Sequence, residues 1–414
     1  MSEIRKLIVG ILLLGILLAA CGSEDAVDLP TSFPTNEPAQ RHLHTFNTLW
    51  EGIEENYLYF DFGDTDPVEL GIITRRRIEA GLTDEEFELL LADVVSSFLE
   101  NTLTYRVRAD RIEADLARTA MYEGIGAFVS YIEEPVPHVV LLAVMPDSPA
   151  ERAGLLAHES ILGVDGIPIS RDEGEKVIQR VRGPSGTPVI LDLRSPDGAR
   201  REVEVIRRRL AANDQLSLRY FPNDGVGYFL FPVSAGDELA DLVLQGIERL
   251  EDESLNGLIV DLRVAHSSAN WPIGEMLSLF GSGQMGAIYS REGPTPIAIE
   301  GRDILNSQSL PLAILIGPDT QGASEIFAEA LQATGRAVLI GQPSPGSVVN
   351  FNHIMLPDGS DVFYALSSYQ SPDGRDISLS GVHPNIQMDI GWDSVSANND
   401  ALIDRALEIL SGSG

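Results

Sequence analysis

Residues 319–349 read DTQGASEIFAEALQATGRAVLIGQPSPGSVV, and this pattern places the rest of the chain. A turn of small and polar residues (Thr320, Gln321, Gly322, Ala323) feeds a helix predicted from about Ser324. Ile326, Phe327, Ala330 and Leu331 recur at helical spacing on one face, and Gly335 supplies a left-handed stop. Apolar strands are predicted on either side, at Leu312–Ile316 and Ala337–Ile340. Strand, small-residue turn, helix, strand is a layout that sets a nucleophile or an anion at a helix N-terminus.

The chain has 414 residues, 44 % of them hydrophobic and 22 % charged, which is enough apolar content for two or three cores. Its net charge of −33 argues against nucleic acid as a partner, because phosphates are bound by Lys and Arg. Met1–Lys6 form a basic start, and Leu7–Leu18 an apolar run too short to cross a bilayer as a mature helix. Leu18-Ala19-Ala20-Cys21-Gly22 follows and resembles a bacterial lipobox, in which the cysteine is lipidated and becomes the mature N-terminus. The expectation is a signal peptide over 1–20 and an extracytoplasmic protein, lipid-anchored to the bacterial cell membrane through Cys21. Cys21 is the only cysteine, so no disulfide can form within the chain.

Residues 21–40 are polar, proline-containing and aperiodic, as suits a flexible tether. Residues 41–121 read as a helical domain. Its clearest helix opens on a Thr83/Glu86 capping box, and Phe87, Leu90, Leu91, Val94, Val95, Phe98 and Leu99 build one apolar face. Ser148-Pro149-Ala150-Glu151 reads as N-cap, first-turn proline and capping-box Glu of a short helix that Gly154 closes. Further on, buried strands at 225–231 and 257–263 flank a predicted helix at 237–250, and that βαβ order makes a parallel sheet the expectation. A last helix is predicted after about Ser396.

The run ASEIFAEALQATGRAVLIGQP (323–343) resembles the tail-specific, or carboxyl-terminal processing, serine proteases, and the likeness is strong from about Tyr122 to Ile390. GIGAFV (124–129), PDSPAERAGL (146–155), ILGVDG (161–166) and RGPSGTPVILDLR (182–194) resemble a PDZ domain of the same protease type. The resemblance implies an α+β, multidomain fold. Its parts would be a helical N-terminal segment, a β-rich PDZ domain over 122–211, a crotonase-like α/β domain over 212–395 and a helix with a tail over 396–414. It also implies that Gly124-Ile125-Gly126-Ala127 is the loop whose N–H groups hold the terminal carboxylate of a peptide added as a strand. The bland alternative is that these glycines serve a tight turn and nothing else.

In that family the nucleophilic serine stands three residues before the Glu matched by Glu325, a lysine in the following loop is its base, and a Gln beyond the lysine orients it. These positions fall here on Gly322, Ser347 and Phe351, or Asn350 if the loop is one residue shorter. Lysine occurs only at Lys6 and Lys176, so no Ser–Lys dyad can be assembled in the protease-like domain. The glycines of the family's oxyanion hole are replaced by Ser267 and Ser268.

Two other residues are weaker catalytic candidates. Ser324 reads more simply as the N-cap of its helix, and His266 adjoins Ser267 and Ser268 with no acidic partner indicated. His353 and His383 read as structural, Glu325 and Gln332 as packing of the matched helix, and Asp261 with Arg263 as a salt bridge. His42 and His44 lie close together but lack further ligands, so neither metal nor cofactor is implied. The expected function is that of an envelope lipoprotein of this peptidase family, catalytically inactive, that binds peptide or protein C-termini. The alternative is an active serine-type endopeptidase that cuts C-terminal segments with a relocated nucleophile.

Overall fold

The computed structural model describes residues 37–61, 66–99, 102–112, 123–210, 215–267, 271–378 and 380–412. The signal peptide, Cys21, most of the expected tether and Ser268 lie outside the described residues. The chain forms the α+β, multidomain fold that the sequence implied.

Helices α1 (Glu37–Asn56), α2 (Pro67–Glu79) and α3 (Asp84–Ser96) form the first module. The tether expectation of 21–40 runs four residues too far: Glu37–Gln40 are the first turn of α1, because Ala39 is buried against the module. At α3 the capping box is present, with Glu86 N donating to Thr83 Oγ1 and Thr83 N to Glu86 Oε2. Phe87, Leu90, Leu91, Val94 and Val95 are buried on one face, where they meet Leu356, Val362, Tyr364 and Ala365 from much later in the chain.

After β1 (Leu103–Arg106) comes the PDZ-like module: β2 (Ala127–Ile132), β3 (His138–Val144), β4 (Ser160–Val164), β5 (Pro188–Arg194) and β6 (Arg200–Ile206). These strands are antiparallel in the spatial order β2-β3-β4-β5-β6, which leaves β2 at an edge. Ser148 caps the short helix Pro149–Arg152 by accepting from Glu151 N.

The last module holds two sheets. In the first, β7 (Ser217–Phe221) pairs antiparallel with β8 (Val226–Leu230). From β8 the sheet runs parallel through β9 (Gly257–Asp261), β12 (Leu312–Ile316), β13 (Val338–Gly341) and β16 (Ile386–Gln387). Side chains alternate across it. Leu258, Val260, Ile314 and Leu339 face α4 (Leu239–Glu248), α5 (Ile273–Phe280) and α6 (Ala323–Ala333), whereas Ile259, Ala313, Leu315 and Ile340 face α7 (Ala401–Ser411). The second sheet is antiparallel, in the order β1, β15 (Asp361–Gln370), β10 (Gly283–Ser290), β11 (Gly293–Ile299), with β14 (Asn350–Met355) also on β15.

The PDZ-like sheet is docked on this module. Val140 and Leu142 of β3 pack on Val233 and Val264. Trp392 is sandwiched between His158 (ring centroids 4.1 Å apart) and the Arg263 guanidinium (5.0 Å), and its Nε1 donates to the Leu141 carbonyl. Beside it, Asp393 accepts from Arg194 (2.9 Å) and lies 3.2 Å from His138 Nε2.

Candidate functional site

The carboxyl ends of β9, β12, β13 and β16 open on a crevice, the usual place for a ligand in a parallel sheet. Gly322 is the N-cap of α6, and its backbone (φ 76°, ψ −130°) lies where only glycine is unstrained. This is a sharp strand-to-helix turn with no side chain at its apex, at the position where the resemblance puts a nucleophile.

The turn is sewn to the loop after β9. Thr320 Oγ1 donates to the Leu262 carbonyl (2.8 Å), Gln321 N to the Ala265 carbonyl (3.0 Å), and Gly317 N to Thr320 Oγ1 (2.9 Å). Ser324 corrects its sequence reading. It lies inside the first turn, not at the N-cap, and is fully buried. Its hydroxyl stands 2.8 Å from two carbonyl oxygens, those of Ala265 and Gln321, so its proton is directed at the backbone.

His266 has the acidic partner that the sequence did not indicate: its Nε2 is 3.3 Å from Asp319 Oδ1. Residues 266–267 pair in parallel with 234–235, so this backbone is held in a regular bridge. Asp319 was missed because it is far from His266 in sequence. The available signal was an acidic residue just past the carboxyl end of a buried parallel strand.

Glu325 does more than pack. It is fully buried, and its carboxylate collects Gly322 N (2.9 Å) on Oε2 and both Ser344 Oγ (2.6 Å) and Gly346 N (2.6 Å) on Oε1. Burial pushes its pKa up, against the lowering effect of these donors and of Ser347 N. The side chain therefore joins the turn at Gly322 to the loop of Ser344, Gly346 and Ser347. In that loop Ser347 is exposed, next to the buried Val348. Phe351 lies on β14, opposite Ala365, with its side chain 42 % exposed. Asn350 is also exposed, beyond a bulge in the same strand pair.

Elsewhere in the module, Asp261 and Arg263 do form a buried pair (2.6 Å), extended by Asp400 (2.7 Å) and by the Tyr228 hydroxyl. Gln332 Nε2 donates to the His383 carbonyl and to Asn385 Oδ1, and His353 stacks on Phe363. His42 binds Asp84 and stacks on Phe87.

In the PDZ-like module the Gly124–Ala127 loop leads directly into β2. Gly126 has φ 83°, and a Cβ there would lie 2.3 Å from Ser148 Cβ. Its carbonyl accepts from Met145 N, while the Ile125 carbonyl accepts from Ala150 N. A bulky residue at 126 would thus break the loop itself.

Residues 227–388 match the family model of peptidase family S41, and residues 140–195 match that of the PDZ domain. The carboxyl-terminal-processing protease of Picosynechococcus sp. is 26 % identical over 344 residues, covering 79 % of this chain and 80 % of the relative. That of Synechocystis sp. is 23 % identical over 375 residues, covering 88 % and 85 %. Among solved structures, the photosystem II D1 C-terminal processing protease has the same fold, with a TM-score of 0.60, 20 % identity and coverage of 92 % of this chain and 98 % of that one. With the fold, the crevice and the matched segments in agreement, residues 140–195 form a PDZ domain and residues 227–388 a peptidase family S41 domain, in a chain similar over most of its length to carboxyl-terminal-processing proteases.

Proposed function

We propose that this chain binds the C-termini of peptides or proteins through its PDZ domain and does not cut them as a serine peptidase. One observation carries the reading: glycine stands at the nucleophile position, Gly322, in a module that contains no lysine. A serine hydroxyl needs a base within hydrogen-bond reach, and arginine stays protonated and cannot serve. Without nucleophile and base, only the residual rate from binding and dipoles remains.

The test uses the full-length chain purified in detergent, treated with a serine-directed fluorophosphonate and offered an unfolded substrate with an apolar C-terminus. No stoichiometric labelling, no cleavage, and peptide binding that disappears when the peptide is C-terminally amidated are the expected results. Stoichiometric labelling, or turnover of the substrate, refutes the reading. A second reading is favoured by the His266–Asp319 contact, which would suit a relocated hydrolytic site using Ser267 or Ser268. It requires labelling that Ser267→Ala or Ser268→Ala abolishes.

The proposed location is the extracytoplasmic face of the bacterial cell membrane, through a lipid on Cys21, with no nucleic-acid partner. The support is the run of apolar residues, small residues and cysteine in the sequence, together with the acidic net charge. Mass spectrometry of the N-terminal peptide tests it. An unmodified Cys21, still preceded by residues 1–20, would overturn the anchor.

A further inference from the structure

We propose that the cleft between the PDZ domain and the parallel sheet is the upstream half of the peptide site, and that it selects C-terminal segments carrying basic residues roughly six or more positions before the carboxylate. This inference rests on the PDZ domain binding peptide C-termini, and adds a direction and a charge preference to that binding.

The direction follows from topology. A peptide whose carboxylate sits on the Gly124–Ala127 loop and which adds to the edge of β2 must run antiparallel to it, so its upstream residues travel towards Ile132. At about 3.3 Å per residue the stretch from Phe128 to Ile132 consumes most of a short tail, and what lies upstream leaves the strand there. It leaves into a cavity of about 810 Å³. One wall is the end of β2 and the turn after it; the other is Pro318, Asp319, Gln342 and Asp389, just beyond β12, β13 and β16. A tail held by the PDZ loop is thereby led to the crevice that contains Gly322 and His266.

The charge follows from the lining. Four carboxylates, of Glu134, Asp319, Asp389 and Asp393, face one arginine, Arg194. Arg194 is already matched by Asp393 (2.9 Å), and Glu134 by Arg171 (2.8 Å). The sheet wall is left with Asp319, against His266, and Asp389, which accepts from the neutral Gln387 amide. A cavity walled by low-dielectric protein and carrying this excess attracts Lys or Arg and repels Glu or Asp.

The test is fluorescence anisotropy on the full-length chain in detergent. The labelled peptides share an apolar C-terminal stretch and differ only upstream, where they carry lysines, alanines or glutamates; each is made as free acid and as amide. The lysine peptide is expected to bind about tenfold more tightly than the glutamate peptide at low salt. In the double variant Asp319→Asn/Asp389→Asn that ratio falls to about twofold or less. It persists in Glu54→Gln/Glu55→Gln, which removes two exposed carboxylates from α1 instead. Equal binding of lysine and glutamate free acids, lost on amidation, overturns the cleft and leaves the PDZ reading standing. An equal fall of the ratio in both double variants overturns it too, because overall charge then suffices. Binding that ignores amidation, or is absent for every peptide, overturns both readings.

Discussion

Glu325 offers the sharpest test of how the crevice is held together. Replacing it by Ala removes the acceptor for Gly322 N, Ser344 Oγ and Gly346 N, all at 2.6–2.9 Å, the last two buried and the first partly so. A buried donor left without a partner costs about 1–3 kcal/mol, so the three together cost about 3–5 kcal/mol once some water enters the cavity. That is a large share of a typical stability of about 5–15 kcal/mol. Glu325→Gln keeps one oxygen for Ser344 and Gly346 but turns an amide donor towards Gly322 N–H, and is expected to cost about 1–2 kcal/mol. Urea unfolding followed by tryptophan fluorescence reads both values. The two variants also differ from the parent in pH response. Burial raises the Glu325 pKa above its ordinary 4.5, so the unfolded chain gives up this proton first. The contribution to stability is then full below the unfolded pKa and declines as the pH rises through the folded one. That decline should be missing from Glu325→Gln. A midpoint for Glu325→Ala within about 0.5 kcal/mol of the parent would refute the role given to this side chain.

His158 is desolvated, which lowers its pKa below 6.5 despite the bond from its Nδ1 to the Trp392 carbonyl. The docked form therefore binds fewer protons than the undocked one, and docking, complete above pH 6.5, weakens as the pH falls towards the folded pKa. Hydrogen exchange in 138–144 should rise on acidification, and should rise less in His158→Asn, because Asn tolerates the positive φ of this residue and keeps a donor. Arg263→Met strands Asp261 and Asp400 and should destabilise the chain by about 3–5 kcal/mol, part of it recovered with Asp261→Asn, as measured by urea midpoint. Gly322→Ser must place a side chain at φ 76°, so it should lower stability by about 1–3 kcal/mol. It should still fail to react with a fluorophosphonate, since the module holds no lysine to act as its base.

The elements legible in the sequence were those whose cause is local. The face of α3 and its capping box, the Ser148 cap, and β8–α4–β9 each carry a complete periodicity or cap signal within a few residues. What stayed hidden depends on contacts across the fold. The residues of β14 are nearly all exposed and show no alternation, so that strand had no apolar pattern to announce it. Asp319 meets His266 only because β9 and β12 are neighbours in the parallel sheet. The weight carried by Glu325 comes from Ser344 and Gly346, on a loop that follows the next strand. Trp392 and Asp393 gave no sign that they seat the PDZ module, because Leu141, His158, His138 and Arg194, which they meet there, are far away in sequence.

The contacts that shape the crevice do not involve the side chains at the three positions where the resemblance puts nucleophile, base and orienting residue. Thr320, Gln321 and Ser324 tie the turn at Gly322 to the loop after β9, and Glu325 ties it to the loop of Ser344 and Gly346. None of these bonds uses a side chain at 322, 347 or 351. Glycine at 322 even removes the strain that any other residue would meet there. The bonds that shape the scaffold are thus independent of those three side chains, and the open carboxyl ends of the strands and the PDZ edge face a common cavity. Selection for binding alone could maintain such a site, because what it needs, a directed tail and a charged wall, is independent of the groups that would break a bond.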